Sequence, residues 1–369
     1  MTDTDTRPTT DSAATEALSG RLFDTVLAVL DAQAIYLGDR LGWYRDLAAS
    51  GPTTPAELAG RTGTAERYAR EWLEQQAVTG ILTAEDDPDR PGDARARRFT
   101  LPASAIEPLT EALSPAHVVP LVRFVVGAGK QIDALAAAYR SGGGVPWEQH
   151  GADAREAQAA ANRPLFLGAL GREYLPSIPD VDAALRAGGR VADVGCGFGW
   201  SAIGIALAYP EAVVDGFDVD EPSVRAARRN AEESGVADRG RFTVTDAATV
   251  AGNRQYDVVT AFECIHDLPD PVSVLTSMRR LAGDTGTVLV MDERVAEDFT
   301  APGDEVERLM YGYSLVCCLA DGLASSPSAG TGTVMRPATL RGYAVRAGFA
   351  DVEVLDVQDD FFRFYRLVR

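Results

Sequence analysis

Residues Val191–Trp200 read VADVGCGFGW. A short apolar run carries one aspartate, Asp193, and opens into three alternating glycines, Gly195, Gly197 and Gly199, with Cys196 between the first two. Glycines between a strand and a helix let the backbone approach a ligand at the helix N-terminus. The spacing is G-x-G-x-G, and Trp200 stands where the G-x-G-x-x-G of dinucleotide sites has its third glycine. A carboxylate two residues before the first glycine would repel a pyrophosphate and welcome an ammonium group.

Working outward, short apolar runs alternate with helical stretches from Gly188 onward: RVADVG, a helix from Ser201, AVVDGFDV, a helix from Pro222, RFTVTD, YDVVTAFE, a helix from Pro271, and GTVLVMDE. That alternation predicts an α/β domain, a parallel sheet with helices on both faces. A late helix (TLRGYAVRAGF) and two strands (DVEVLDV, FFRFYRLV) close it. Asp218 ends the second run and suits two ribose hydroxyls; Asp246 ends the third and suits an adenine amino group. Val219 and Ala247 beside them, and Phe262 in the fourth run, are further candidate cofactor-binding residues.

The fourth run ends in TAFECIHDLP, Thr260–Pro269, which carries the only histidine of the C-terminal half, His266, beside Asp267. Strand C-termini are where open parallel sheets bind ligands, and an imidazole titrates near neutrality, so His266 is a candidate base. Asp270-Pro271 reads as a helix cap instead.

Upstream, 18–49 carries apolar residues at helical spacing. Thr54-Pro55 opens a short helix with Gly60 near its end, and Thr64 opens another that stops at Gly80. ILTAE and RRFTL then form a small hairpin, so the order is that of a winged helix. The expected organisation is a disordered tail at 1–17, a winged-helix domain at 18–104, a helical region at 105–186, and the α/β domain at 187–369 with a lid insertion at about 295–335. Within 105–186 a long helix is expected to kink near Gly127 and Gly129. Candidate acceptor-pocket residues are Tyr36, Arg163, Tyr174, Met310, Tyr311 and Tyr313; His117 and His150 have no supporting constellation.

The chain has 369 residues, 46% apolar, with a formal charge of −19. An acidic surface repels phosphates and anionic lipid. No run approaches the roughly 20 apolar residues of a membrane span. The polar N-terminus lacks an apolar signal core. The four cysteines form no CxxC pair, which argues against a disulfide framework or zinc site and for a reducing cytoplasm.

DVGCGFG, GFDVDEPSV, VTDA and FECIHDLPDP together resemble class I S-adenosylmethionine-dependent methyltransferases, a Rossmann-like sheet. The N-terminal helices and hairpin resemble the winged-helix dimerisation domain of small-molecule O-methyltransferases, and PSAGTGTVMRPATLRGYAVRAGF is similar to a bacterial subgroup of them. The resemblance implies S-adenosylmethionine as cofactor, S-adenosylhomocysteine as product, a homodimer, and a small-molecule acceptor of secondary metabolism. It implies His266 as the base that removes the acceptor proton, with Asp267 beside it. Asp292, in preference to Glu293, is the acid that orients it, and no metal takes part. The family's second orienting acid finds no matching position. Methyl transfer to carbon, sulfur or nitrogen without a base, non-methylating chemistry such as a cyclisation, and DNA binding through the winged helix stay open at this level. Against DNA binding, the presumed recognition helix TAERYAREWLEQQAVT mixes Arg67 and Arg70 with Glu66, Glu71 and Glu74.

Overall fold

The computed structural model describes residues 12–250 and 255–369. The chain divides into two compact units, 1–111 with 116–126, and 112–115 with 127–369.

In the first unit, α1 (Ser12–Arg40) and α2 (Trp43–Ser50) precede α3 (Pro55–Thr62), α4 (Glu66–Val78), the hairpin strands β1 (Thr83–Glu85) and β2 (Arg98–Thr100), and α5 (Ala103–Thr110). The helix begins at Ser12, inside the tail expected to be disordered; the rest of that tail, 1–11, lies outside the described residues. Thr54 caps α3 in a reciprocal capping box with Glu57, and the helix ends two residues past Gly60, before a left-handed Gly63. Thr64 does not cap α4; Ala65 holds the cap position without a side-chain bond. The core is Trp43, Tyr44, Leu47, Leu58, Trp72, Leu73 and Phe99. α1 itself stays largely outside this core: Leu18, Leu22, Phe23, Val26, Leu27 and Leu30 are all exposed.

The expected long helix is two. α6 (Val119–Gly129) and α7 (Ile132–Ser141) are separated at Lys130-Gln131, directly after Gly129. In the second unit α7 leads to α8 (Trp147–Leu167) and α9 (Pro179–Arg186). The sheet domain follows as β3 (Arg190–Val194), α10 (Trp200–Ala208), β4 (Val213–Asp218), α11 (Glu221–Glu233), β5 (Gly240–Val244), β6 (Val258–Phe262), α12 (Pro271–Leu281) and β7 (Thr287–Glu293). The insertion forms α13 (Glu305–Tyr313) and α14 (Leu319–Gly322), joined through one widened helical turn at Ser314–Cys318. α15 (Pro337–Arg346), β8 (Asp351–Val354) and β9 (Phe362–Val368) end the chain.

The strand order is β5-β4-β3-β6-β7-β9-β8. β3 to β7 run parallel, while β9 is antiparallel to both β7 and β8, so the sheet is mixed at one edge. The central strands are buried on both faces, which is why they read as continuous apolar runs rather than alternating ones. The chain leaves β3 outward to β4 and β5, then returns to β6 on the other side. The crevice at the C-terminal ends of β3 and β6 is therefore the switch point where such sheets hold ligands. α8 lies directly on α10: a Cβ on Gly204 would come 2.0 Å from the Phe166 carbonyl oxygen, so only glycine permits that approach.

Candidate active site

The loop after β3 is built to bring backbone close to a ligand. Gly195, Gly197 and Gly199 have φ of 69°, 50° and 79°. A side chain at Gly199 would strike the Phe242 ring at 2.8 Å, whereas the space around Gly197 is open. The Gly195 and Cys196 N–H groups both donate to the Phe217 carbonyl, at 2.8 and 3.1 Å, which ties the loop to the end of β4. Asp218 accepts from the Gly197 and Asp220 N–H groups, each at 2.8 Å. Its pKa is raised by burial in spite of those donors. Each oxygen of a carboxylate has a second lone pair, so Asp218 keeps capacity for ribose hydroxyls. Val219 beside it is exposed, and Cys196 and Phe262 are buried.

Asp193 is placed differently from the sequence expectation. It is 1% exposed, and its two oxygens accept from the Ser201 hydroxyl at 2.5 Å and the Thr260 hydroxyl at 2.7 Å. The carboxylate thus pins the loop between α10 and β6 instead of facing an incoming ammonium. Asp246 lies two residues beyond β5, where it caps a short turn that contains the buried Ala247, accepting from the Ala248 N–H at 2.9 Å.

His266 follows β6 in a tight turn and is 2% exposed. Its Nδ1 lies 2.9 Å from Asp292 Oδ1 and 3.2 Å from Glu293 Oε2, both at the end of the neighbouring strand β7. Its Nε2 lies 3.3 Å from Asp267 Oδ1. Cys318, from the widened turn of the insertion, hydrogen-bonds to both Asp267 and His266. Burial alone would depress the imidazole, but Asp267, Asp292 and Glu293 outweigh it and hold the pKa well above its ordinary value. The sequence reading found the His266–Asp292 pair. It treated Glu293 as an alternative to Asp292, although both reach the ring. Two ligand-like sets, His266/Asp267/Cys318 and His266/Asp292/Glu293, have donor atoms within 4.8 Å of one another. The Nδ1 distances are those of a donated N–H.

Glu263, next in line after β6, was missed. Gln158 Nε2 donates to its Oε2 at 3.3 Å, and Asn162 bonds to it as well. Both amides come from α8, which runs along the whole edge. Arg155 pairs with Asp220 at 2.7 Å, Arg163 stacks on the Trp200 ring at 4.4 Å, and Phe166 stacks on Phe262 at 5.9 Å. The sequence places α8 in the helical region at 105–186, with Arg163 as its one pocket candidate; the spacing of Gln158 and Asn162, four residues apart on one helix face, was the further signal available.

The other pocket candidates scatter. Tyr174 donates to Asp359 at 2.5 Å and packs edge-on to Phe364. Met310 is buried, Tyr311 is exposed over two grooves of about 400 Å³ on the insertion, and burial pushes the Tyr313 hydroxyl up to about 12. Tyr36 lies on α1, in the first unit.

Burial drives four carboxyls of this unit upward: Asp193 and Asp321 to about 6, and Glu263 and Glu293, which also repel other acids nearby, to about 8. Each binds its proton more tightly folded than unfolded, so its stabilising effect is complete below the ordinary carboxyl pKa and is lost as pH rises through the folded value. His266 acts in the same sense. His150, depressed by burial, opposes them only below the ordinary histidine pKa. The ligand-free protein should therefore lose melting temperature steadily from about pH 6.5 to about pH 9. A flat or rising profile by scanning calorimetry would contradict the buried-acid arrangement.

Residues 185–322 match the family described as Methyltransferase domain, and residues 28–110 match the Rv2258c-like winged HTH domain. The ubiquinone biosynthesis O-methyltransferase of Bordetella bronchiseptica is 39% identical over 106 residues, 29% of this chain and 43% of that protein. The chain thus spans under half the length of the curated relatives it matches. Among solved structures, mitomycin 7-O-methyltransferase superposes with a TM-score of 0.70 at 22% identity, over 97% of this chain and 99% of the other. Human N-acetylserotonin methyltransferase, solved with S-adenosylmethionine, gives 0.70 at 18% identity, over 95% and 97%. With the sheet order and the glycine loop, these matches establish that the chain carries a methyltransferase domain behind a winged helix-turn-helix domain, in the fold shared by small-molecule O-methyltransferases.

Proposed function

We propose that the protein is an S-adenosylmethionine-dependent methyltransferase acting on a hydroxyl oxygen of a small organic acceptor, with His266 as general base. The observation that carries this reading is His266 itself, buried between Asp292 and Asp267 at the strand edge next to the glycine loop. The residues fit the cofactor: the open backbone at Gly197 leaves room for the ligand, and Asp218 has acceptor capacity for a ribose. When bound, S-adenosylmethionine supplies an electrophilic methyl group on a sulfonium.

The chain's own contribution is alignment and proton removal. Asp292 holds the Nδ1–H of His266, with the Glu293 carboxyl 3.2 Å from the same nitrogen, which leaves Nε2 as the atom that takes the acceptor proton. Asp267, on the Nε2 side, and Cys318 from the insertion bound that position. Because the surrounding acids favour the imidazolium, the base form grows as pH rises. Turnover on an acceptor with a high-pKa hydroxyl tests the reading, and it should climb with pH.

The first unit serves pairing rather than DNA reading in this proposal. Arg67 pairs with Glu71, and Arg70 with Glu66, so the basic residues of α4 are spent within the helix. The exposed apolar residues of α1 recur at helical spacing, and a face of that kind calls for a covering surface. A second copy is the expected cover. Sedimentation of the full chain should give a dimer, and Leu22→Glu with Phe23→Glu should give a monomer. Micromolar, salt-sensitive binding of duplex DNA would count against the proposal. No helix among the described residues is long and apolar enough to cross a membrane, and a cytoplasmic location is part of this proposal.

A further inference from the structure

The amino-acid end of the cofactor is a zwitterion, and the expected partner for its ammonium group, Asp193, is 1% exposed and turned to two hydroxyls of the chain itself. Asp193 gives both oxygens to Ser201 and Thr260. The chain segment that follows β6 carries a carboxyl oxygen with no hydrogen-bond partner, Oε1 of Glu263. Glu263 leaves the sheet beside the glycine loop, because β6 is the neighbour of β3. The next residue, Cys264, packs on that loop so tightly that a Cβ on Gly195 would sit 2.7 Å from its sulfur.

Glu263 is the one non-glycine residue with positive φ, 53°, among the described residues. A left-handed backbone costs an L-residue about 1–2 kcal/mol, and such strain collects where a side chain must point in one direction. Gln158 and Asn162 hold one face of the carboxyl, while Oε1 is buried with no hydrogen-bond partner. On the same helix, one residue past Asn162, Arg163 lies over Trp200, the first residue of α10, and its Nε has no hydrogen-bond partner. α8 therefore brings an unspent carboxyl oxygen and an unspent guanidinium N–H to the same loop, one of each sign.

We propose that Glu263 and Arg163 seat the amino-acid end of the cofactor, Glu263 taking the α-ammonium and Arg163 the α-carboxylate. The assignment rests on the cofactor reading given above and adds to it two residues outside the glycine-loop motif. It also accounts for the amides of α8: Gln158 and Asn162 aim Glu263, and their role is positioning. Burial and Glu293 hold the empty Glu263 carboxyl protonated up to about 8, so an arriving ammonium group displaces a proton.

Calorimetric titration with two ligands tests it. S-adenosylhomocysteine carries the amino-acid end; methylthioadenosine keeps the nucleoside and thioether but lacks that end. Glu263→Gln and Arg163→Met should each weaken S-adenosylhomocysteine about 10–100-fold, the range for a charge-assisted hydrogen bond, and change methylthioadenosine by less than about threefold. Near neutral pH, S-adenosylhomocysteine binding to the unaltered protein should release a proton, seen as a buffer-dependent enthalpy, and Glu263→Gln should abolish that release. Unchanged S-adenosylhomocysteine affinity in either variant overturns that residue's assignment. Equal losses for both ligands overturn it too, since the residue then only shapes the pocket. If the unaltered protein binds neither nucleoside, the cofactor reading itself fails, and this assignment with it.

Discussion

His266→Ala should lower turnover by about 10²–10⁴-fold while leaving S-adenosylhomocysteine affinity nearly intact. The size follows from what a general base contributes when the acceptor holds its proton at neutral pH. The separation follows from position: His266 lies after β6 with its ring turned to Asp292, Glu293 and Asp267, while Asp218, the proposed ribose acceptor, is the last residue of β4. His266→Gln keeps a polar side chain but cannot take the proton, so it should be almost as slow. Raising pH should partly rescue both variants, because the acceptor then ionises unaided. A chelator should leave the unaltered enzyme's rate unchanged. If both variants turn over at near-normal rates on the physiological acceptor, the base role is wrong, and transfer to carbon, sulfur or nitrogen replaces it. Alignment and desolvation can supply most of the rate in that case.

Asp218→Ala, at the proposed ribose acceptor, should weaken S-adenosylhomocysteine by about 1.5–3 kcal/mol. Two effects add. The ribose loses its acceptor, and the Gly197 N–H loses the carboxylate that holds the loop in its left-handed turn. Asp218→Asn, which keeps one acceptor oxygen, should recover part of the loss. Methylthioadenosine, which retains the ribose, should weaken as much as S-adenosylhomocysteine. That equality distinguishes Asp218 from Glu263 and Arg163, whose removal should spare the truncated ligand. Equilibrium binding of both nucleosides to the three variants reads the whole pattern, and an Asp218→Ala affinity within twofold of the unaltered protein would remove the residue from the site.

The α/β domain was legible because its strands are buried on both faces. Apolar runs such as RVADV and VVTAF could belong only to a covered sheet, and the glycines marked one turn. The antiparallel β9 was not legible, since FRFYRLV reads as a strand whichever way it pairs. His266 stood out as a histidine at a strand end, and Asp292 was named as the acid that the family resemblance implies at the next strand end; a parallel sheet brings both ends to one edge. Glu263 was passed over for two reasons. Its place in FECIHD looks like a strand residue, and what distinguishes it, a left-handed backbone and two amides from α8, is set by tertiary contact. Asp193 lies in β3, two residues before the first glycine of the loop, but its two hydroxyl partners, Ser201 and Thr260, lie 8 and 67 residues away and carry no local signature. The split of the expected long helix into α6 and α7 turned on the glycine-rich GAGK stretch, where propensity alone does not say whether a helix bends or ends.

The central claim is that the crevice between β3 and β6 binds an adenosyl amino acid and not a dinucleotide. Calorimetric titration of the full chain with S-adenosylhomocysteine, and separately with NAD, tests it most directly. S-adenosylhomocysteine should bind saturably with proton release near neutral pH, and NAD should give no heat. Tighter binding of NAD, or none of S-adenosylhomocysteine, would contradict it.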